Sequence, residues 1–308
     1  MEGKIIESIL LGLIQGMTEF LPISSSAHLK FFEWLFNWTE ITPDFADLLN
    51  LGTLLALCIY FFKDGLELVK CGFSKFVITI LKNKKLKINE EQDKNGKLFW
   101  YIVAATIPTA ILYLALHKIS EKIIGDNESI EIILIAVSSI VMGILLFLVD
   151  RICSVKKSFD NLSFKDTVLI GVSQAIAAVF PGVSRSGITI TTSRTLKYDR
   201  ASGAKVSFFL SIPLIAGGLL VKMISFDFSY WLPFLLGNIV SFVAGFLVIK
   251  VFMSYLRKGK YSVFAIYRVC FGLLLIILLL IRGWGDIRCN LLMEKWFLLN
   301  WKKNTKRE

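Results

Sequence analysis

Apolar residues fall along this chain in long runs rather than at the spacing of a half-buried surface helix. Near-continuous apolar stretches cover residues 45–62, 98–116, 132–149, 206–221, 230–249 and 263–281. Each is close to the roughly 20 residues that carry a helix across about 30 Å of hydrocarbon. They predict six transmembrane helices. Two further apolar segments break this pattern. The segment over about 5–34 is interrupted at Pro22 and the serines Ser24, Ser25 and Ser26. The segment over about 167–195 is interrupted at Pro181, followed by Gly182, Ser184, Arg185, Ser186 and Gly187. Irregular backbone at membrane depth persists only where protein or a wet cavity covers it. Each segment therefore predicts a re-entrant pair of half-helices.

The two broken segments resemble each other. At a constant offset of 159, Gly12 matches Gly171, Gln15 matches Gln174, Pro22 matches Pro181 and Ser25 matches Ser184. These identities fall on the punctuating residues rather than on Leu and Ile. Interrupted apolar segments at corresponding places in two halves point to an inverted repeat of the kind found in transporters. Charge in the loops gives the same topology. Lys63, Lys70, Lys75, Lys82, Lys84, Lys85, Lys87, Lys94 and Lys97 make the stretch 63–97 strongly basic, as cytoplasmic loops are. Glu121, Asp126, Glu128 and Glu131 mark the next connection as external, and Arg151, Lys156, Lys157 and Lys165 return the chain to the cytoplasm. The two broken segments then enter from opposite sides and meet near the midplane, each followed by three spans. The expected architecture is all-α and polytopic, with about six transmembrane helices and two re-entrant pairs. It forms a single domain over 1–282, with repeat halves at about 5–150 and 164–282. Residues 283–308 form a basic, aromatic tail that suits an interfacial amphipathic helix.

Composition agrees with a membrane protein. The chain is 55% hydrophobic and 19% charged, against about 25% charged in a soluble domain, and its mean hydropathy is +0.65. The net charge of +11 belongs to the cytoplasmic loops, and no nucleic-acid-binding motif accompanies it. Cys58, Cys71, Cys153, Cys270 and Cys289 show no metal-type spacing and read as apolar fillers. Glu2, Glu7, Glu19 and Pro22 argue against a cleavable signal at the N-terminus.

The polar residues at the breaks are the candidate chemistry. Gln15 and Glu19 share a helix face. Ser24, Ser25 and Ser26 open the second half-helix, whose free N–H groups attract anions. His28 lies one turn on, and Ser184, Arg185, Ser186 and Thr189 occupy the matching place in the second segment. Arginine forks and backbone donors fit phosphate oxygens. A carboxylate can hold a divalent cation beside a phosphate, and histidine can move a proton or attack phosphorus. Ionisable groups at membrane depth are functional by default, so the set reads as a site for a phosphate group on a lipid. Two classes remain open on these residues: an enzyme that cuts a phosphate bond, and a carrier that flips a phospholipid headgroup. The type-2 phosphatidic acid phosphatase pattern does not apply, because it needs a second catalytic histidine and only His28 and His117 are present.

The motifs "LGLIQGMTEFLPISSSAHL" (residues 11–29) and "PGVSRSGITI" (residues 181–190) resemble the two signature regions of the undecaprenyl-diphosphatase (BacA/UppP, bacitracin-resistance) family. "LGTLLAL", "FFLSIPLIAGG" and "FAIYR" look like further segments of it, so the resemblance covers about 5–281. It implies hydrolysis of undecaprenyl diphosphate to undecaprenyl phosphate and phosphate, recycling the carrier lipid of cell-wall synthesis and conferring bacitracin resistance. It also implies a divalent cation (Mg2+ or Ca2+), a plasma-membrane location and a site opening to the external side. The family's (E/Q)xxxE motif falls on Gln15 and Glu19, its serine–histidine stretch on Ser24, Ser25, Ser26 and His28, and its PGxSRSxxT motif on Pro181, Gly182, Ser184, Arg185, Ser186 and Thr189. The expected catalytic residues are Glu19, Ser25, His28 and Arg185, with Glu19 also the metal ligand. Gln15, Ser24, Ser26, Ser184, Ser186 and Thr189 are expected to bind substrate. The expected partners are a polyprenyl diphosphate lipid and the bilayer, with no nucleic acid and a homodimer left open. Gln15 departs from an acidic first position, which leaves Glu19 as the anionic ligand. Lys205 stands where some members carry a carboxylate.

Overall fold

The computed structural model describes residues 2–38, 43–80, 88–125, 127–224 and 226–282. The basic tail over 283–308 lies outside them. The described residues form helices α1 (Glu2–Thr18), α2 (Ser25–Phe36), α3 (Pro43–Leu48), α4 (Asn50–Tyr60), α5 (Phe62–Ile80), α6 (Glu90–Ile124), α7 (Glu128–Ile152), α8 (Phe164–Ser173), α9 (Ile176–Val179), α10 (Arg185–Thr195), α11 (Arg200–Ile224), α12 (Trp231–Leu256) and α13 (Ser262–Arg282). Five of these are long and apolar enough to cross a membrane. A sixth span arises if the pair Phe45–Tyr60 and Phe62–Thr79, bent by 78°, is taken as one.

The bend falls at the end of the apolar run over 45–62, where the chain continues into α5. Within the basic stretch 63–97, residues 63–80 belong to α5 and residues from Glu90 onward to α6, so its described part is largely helical; residues 81–87 lie outside the described residues. The reason lies in one face of α5. Leu68 and Cys71 are buried there, Gly72 presents its carbonyl to Trp100 Nε1 at 3.0 Å, and Phe76 stacks on Trp100. Lys63 and Lys70 are exposed, while Lys75 lies on the buried face and reaches across to Asp93 of α6, which also pairs with Lys97 one turn on. The stretch therefore carries a stripe that α6 covers, although its composition is polar.

Both broken segments are present: α1 and α2 around Pro22, and α8, α9 and α10 around Pro181. Each packs against a long helix of the other half of the chain, α1 on α12 and α8–α9 on α6. The approach of α1 to α12 requires glycine. A Cβ on Gly12 would lie 2.2 Å from the Gly237 carbonyl oxygen, so the two backbones meet with no side chain between them.

Helix α7 gives the direction of the half-helices. At its N-terminal end Glu131 pairs with Lys30 of α2 at 3.2 Å. At its C-terminal end Asp150 pairs with Arg194 of α10 at 3.1 Å and with Arg200 at 2.7 Å. Helices α2 and α10 thus run toward opposite ends of α7, and their N-termini face each other at its middle. Around this junction Phe20 meets Phe208 edge-on at 5.5 Å, within an apolar core that includes Phe61, Ile190 and Phe252.

Candidate active site

Both half-helices start in the same way. Pro22 and Pro181 stop the preceding helices, and the N-cap serines Ser24 and Ser184 have φ of 75° and 74°. Such backbone costs about 1–3 kcal/mol per residue outside glycine and persists where the surroundings enforce it. Ser24 Oγ accepts from Ala27 N at 3.3 Å and Ser184 Oγ from Gly187 N at 3.0 Å. Each cap also shares a hydrogen bond with the serine two residues on, Ser26 at 3.2 Å and Ser186 at 3.1 Å. Ser186 crosses to the other segment, donating to the carbonyls of Leu21 at 3.1 Å and Glu19 at 3.3 Å.

This geometry corrects the fixed offset of 159. The offset holds for Gly12 and Gln15, but after the prolines the second segment carries one extra residue, Gly182. Ser24 is the counterpart of Ser184, and Arg185 stands opposite Ser25 rather than Ser26. Both of these first helical residues reach the same carboxylate. Ser25 Oγ donates to Glu19 Oε2 at 2.5 Å, and Arg185 Nη2 donates to Glu19 Oε1 at 2.9 Å.

Around Glu19 lies a cavity of about 120 Å³. Gln15, Glu19, Ser24, Ser25, Ser26, Ser184, Arg185 and Ser186 line it, together with Asp47, Asn50 and Tyr113. Asn50 connects the set, since its Oδ1 accepts from Gln15 Nε2 at 3.0 Å and from Arg185 Nη2 at 3.3 Å. Gln15 Nε2 also donates to Glu19 Oε2 at 2.9 Å. The Glu19 side chain is only 8% exposed, so charge there acts in a medium of low dielectric.

The structure brings together all the anticipated residues except two. His28 is buried and lies outside the cavity lining. Its Nδ1 meets the Ser24 carbonyl at 2.7 Å, its Nε2 meets Tyr267 Oη at 2.6 Å, and its ring stacks on Phe271 at 4.4 Å. A carbonyl only accepts, so Nδ1 carries the proton and Nε2 receives the tyrosine hydroxyl. Thr189 is fully buried and turned to α11, where its hydroxyl meets Ser207 Oγ at 2.6 Å. Asn50, Asp47 and Tyr113 escaped sequence reasoning. Asn50 sits beside "LGTLLAL" inside an apolar run, and that isolated polar residue is the one signal that marks it.

A divalent cation has oxygen ligands available at this site. The Oε1 of Gln15 is buried with no hydrogen-bond partner, next to the Glu19 carboxylate and in a cavity that Asp47 also lines. Among the described residues no cluster of three His, Cys, Asp or Glu side chains forms a complete cage. A hard cation held by one or two carboxylates and completed by phosphate oxygens matches this donor set.

The fold and this cavity define a polytopic helical membrane protein with a polar, anion-suited site enclosed between two broken helices. The family model described as bacitracin resistance protein BacA matches residues 8–274, and the chain belongs to that family. It is 37% identical over 279 residues to an undecaprenyl-diphosphatase of Moorella thermoacetica, covering 90% of this chain and 99% of that one. Identity to an undecaprenyl-diphosphatase of Desulforudis audaxviator is 41% over 278 residues, covering 90% and 98%. For one of Caldicellulosiruptor bescii it is 38% over 280 residues, again 90% and 98%.

Proposed function

We propose that this protein hydrolyses undecaprenyl diphosphate to undecaprenyl phosphate and inorganic phosphate, returning the carrier lipid to cell-wall synthesis and protecting the cell from bacitracin. The observation that carries the reading is Glu19 held between Ser25 and Arg185 where two half-helix N-termini meet. The N-termini and the guanidinium supply donors and positive charge for a diphosphate, and positioning with charge neutralisation is most of what phosphoryl transfer requires. Serines and half-helices alone would also suit a carrier. The short contact from Ser25 to Glu19 favours chemistry, because it pairs a nucleophile with a base.

In this mechanism Arg185 and the N–H groups of α2 and α10 hold the terminal phosphate. Ser25 Oγ attacks its phosphorus as Glu19 accepts the hydroxyl proton. The bond from phosphorus to the bridging oxygen breaks, and undecaprenyl phosphate leaves with the electron pair. Glu19 gives the hydroxyl proton to the departing undecaprenyl phosphate. Water then attacks the phosphoserine as Glu19 takes the water's proton and passes it to Ser25 Oγ as the bond from Oγ to phosphorus breaks, releasing phosphate and restoring the Ser25 hydroxyl. Gln15 and Asn50 keep Glu19 and Arg185 in register. Glu19, with Gln15 Oε1 and Asp47, would hold a divalent cation (Mg2+ or Ca2+). When bound, that ion supplies further neutralisation of the diphosphate oxygens.

By the positive-inside rule the lysine-rich stretch 63–97 faces the cytoplasm, in a cell whose plasma membrane holds the protein. The cavity residues Tyr113 and Leu29 lie toward the acidic connection before α7, which supports a site opening to the external side. The matched half-helices and the exchanged packing of α1 on α12 and α8–α9 on α6 support an inverted repeat.

Phosphate release from undecaprenyl diphosphate by purified protein in detergent tests the function. Arg185→Ala should lower turnover by on the order of a hundredfold or more with the fold intact. Turnover near that of the unmodified protein would remove the clamp. Binding of the lipid with no release by the unmodified protein would favour the carrier. Excess EDTA should abolish turnover and added Mg2+ or Ca2+ restore it, whereas full activity in EDTA would exclude the cation.

A further inference from the structure

Arg268 of α13 is 1% exposed and takes no part in the reaction above. Its partners are all backbone carbonyls. Nη1 donates to Pro22 O at 2.9 Å and Nη2 to Gly182 O at 2.7 Å. Nε reaches Ser139 O at 3.3 Å and Nη2 also reaches Ser138 O at 3.5 Å, both in the middle of α7. No ion pair to Arg268 is found among the described residues, although an arginine retains its charge even when buried. Burying a cation without a counter-charge is expensive, so the position calls for a physical explanation.

The two strongest bonds of this guanidinium go to the two breaks. Pro22 lies two residues before the cap Ser24, and Gly182 two residues before the cap Ser184. One planar fork therefore joins the starts of both half-helices, which are otherwise separated by more than 150 residues of chain. Gly187, in the first turn of α10, leaves room for it: a Cβ there would lie 3.0 Å from Arg268 Nη1. The charge sits behind two helix N-termini that already carry partial positive charge. Alone, the three repel one another. Together they favour an anion in the space that both N-termini face, which is the cavity.

We propose that Arg268 is a positioning residue for the diphosphate. It clamps the two breaks in register, so that Ser25 and Arg185 converge on Glu19, and it adds a fixed positive potential that offsets the Glu19 carboxylate and favours bound phosphate. Lysine keeps the charge but has no fork to span two carbonyls. Glutamine loses both properties. The proposal rests on the diphosphatase reading of the Glu19 site.

The test is phosphate release by the full-length protein in detergent, with kcat and KM measured separately and inorganic pyrophosphate as the competing anion. The folded fraction of each variant is determined by size exclusion and thermal melting. Arg268→Gln should lower kcat by about 10- to 100-fold, as the loss of an orienting partner does elsewhere, and should weaken both KM and pyrophosphate inhibition. Arg268→Lys should restore KM and inhibition to within about threefold of the original while kcat stays low. Gly187→Ala, whose Cβ would lie 3.0 Å from both Arg268 Nη1 and Ser184 Cβ, crowds the guanidinium and the α10 cap together and should lower kcat in a protein that melts normally. The proposal is overturned if the activity of these variants tracks only their folded fraction, with KM and inhibition unchanged. Should Arg185→Ala retain turnover, the Glu19 site itself fails. An inactive Arg185→Ala beside a fully active Arg268→Gln defeats the positioning role alone.

Discussion

At the level of single residues, polarity in an apolar setting was the informative signal. Glu19, Ser25 and Arg185 were visible because membrane depth penalises them unless they do something. His28 and Thr189 carry the same signal yet point elsewhere, since spacing along a helix gives a face but not the direction of a side chain around an irregular first turn. The pairing of Arg185 with Ser25 was hidden by Gly182, which a comparison at one fixed offset cannot accommodate. Asn50 is the missed residue with the clearest consequence. Its Oδ1 receives both Gln15 and Arg185, so Asn50→Ala leaves the guanidinium held by Glu19 alone. The expected result is a fall in kcat of about tenfold or more with little change in melting temperature. Steady-state phosphate release together with a thermal melt checks this, and unchanged kcat would show that Asn50 is only a bystander in the cavity wall.

Among the helices, α7 and the ends of α10 and α11 form the most heavily charged buried junction. Asp150 is 8% exposed and receives Arg194, Arg200 and the backbone N–H of Tyr261. Arg194 also donates to the carbonyls of Tyr198 and, at 2.9 Å, Cys153. This cluster ties down the C-terminal end of α10, whose N-terminal end carries Arg185. Sequence periodicity located α7 and α11 as spans, but nothing in it linked Asp150 to Arg194, because the contact joins residues 44 apart through tertiary packing. Asp150→Ala removes the carboxylate and leaves the buried Arg194 uncompensated. Breaking such a pair costs about 3–5 kcal/mol, so the variant should melt well below the original protein. Its surviving folded fraction should also turn over more slowly, as α10 loses its anchor. A thermal melt measures the first effect and phosphate release per folded molecule the second, and a melt equal to that of the unmodified protein would refute the role given to Asp150.

For the whole molecule, the apolar runs and loop charges were enough to anticipate an all-helical, membrane-spanning chain. The bend between α4 and α5 was not, because a polar stretch gives no warning that one of its faces will pack on a neighbour. The orientation proposed from charge placement has a direct test. Lys94 and Lys97, early in α6 and within the lysine-rich stretch 63–97, lie at the opposite end of that long helix from the acidic entry to α7 at Asn127 and Glu128. If the positive-inside rule governs insertion, Lys94→Cys in a cysteine-free background faces the cytoplasm and Asn127→Cys faces outward. An impermeant maleimide on intact cells should then label position 127 and leave 94 untouched until the membrane is opened. Both positions are remote from the Glu19 cavity, so phosphate release by the same variants verifies that each protein under test is native. The reverse labelling pattern, in active protein, would place the cavity's polar rim toward the cytoplasm. It would also require undecaprenyl diphosphate to be hydrolysed on the inner leaflet.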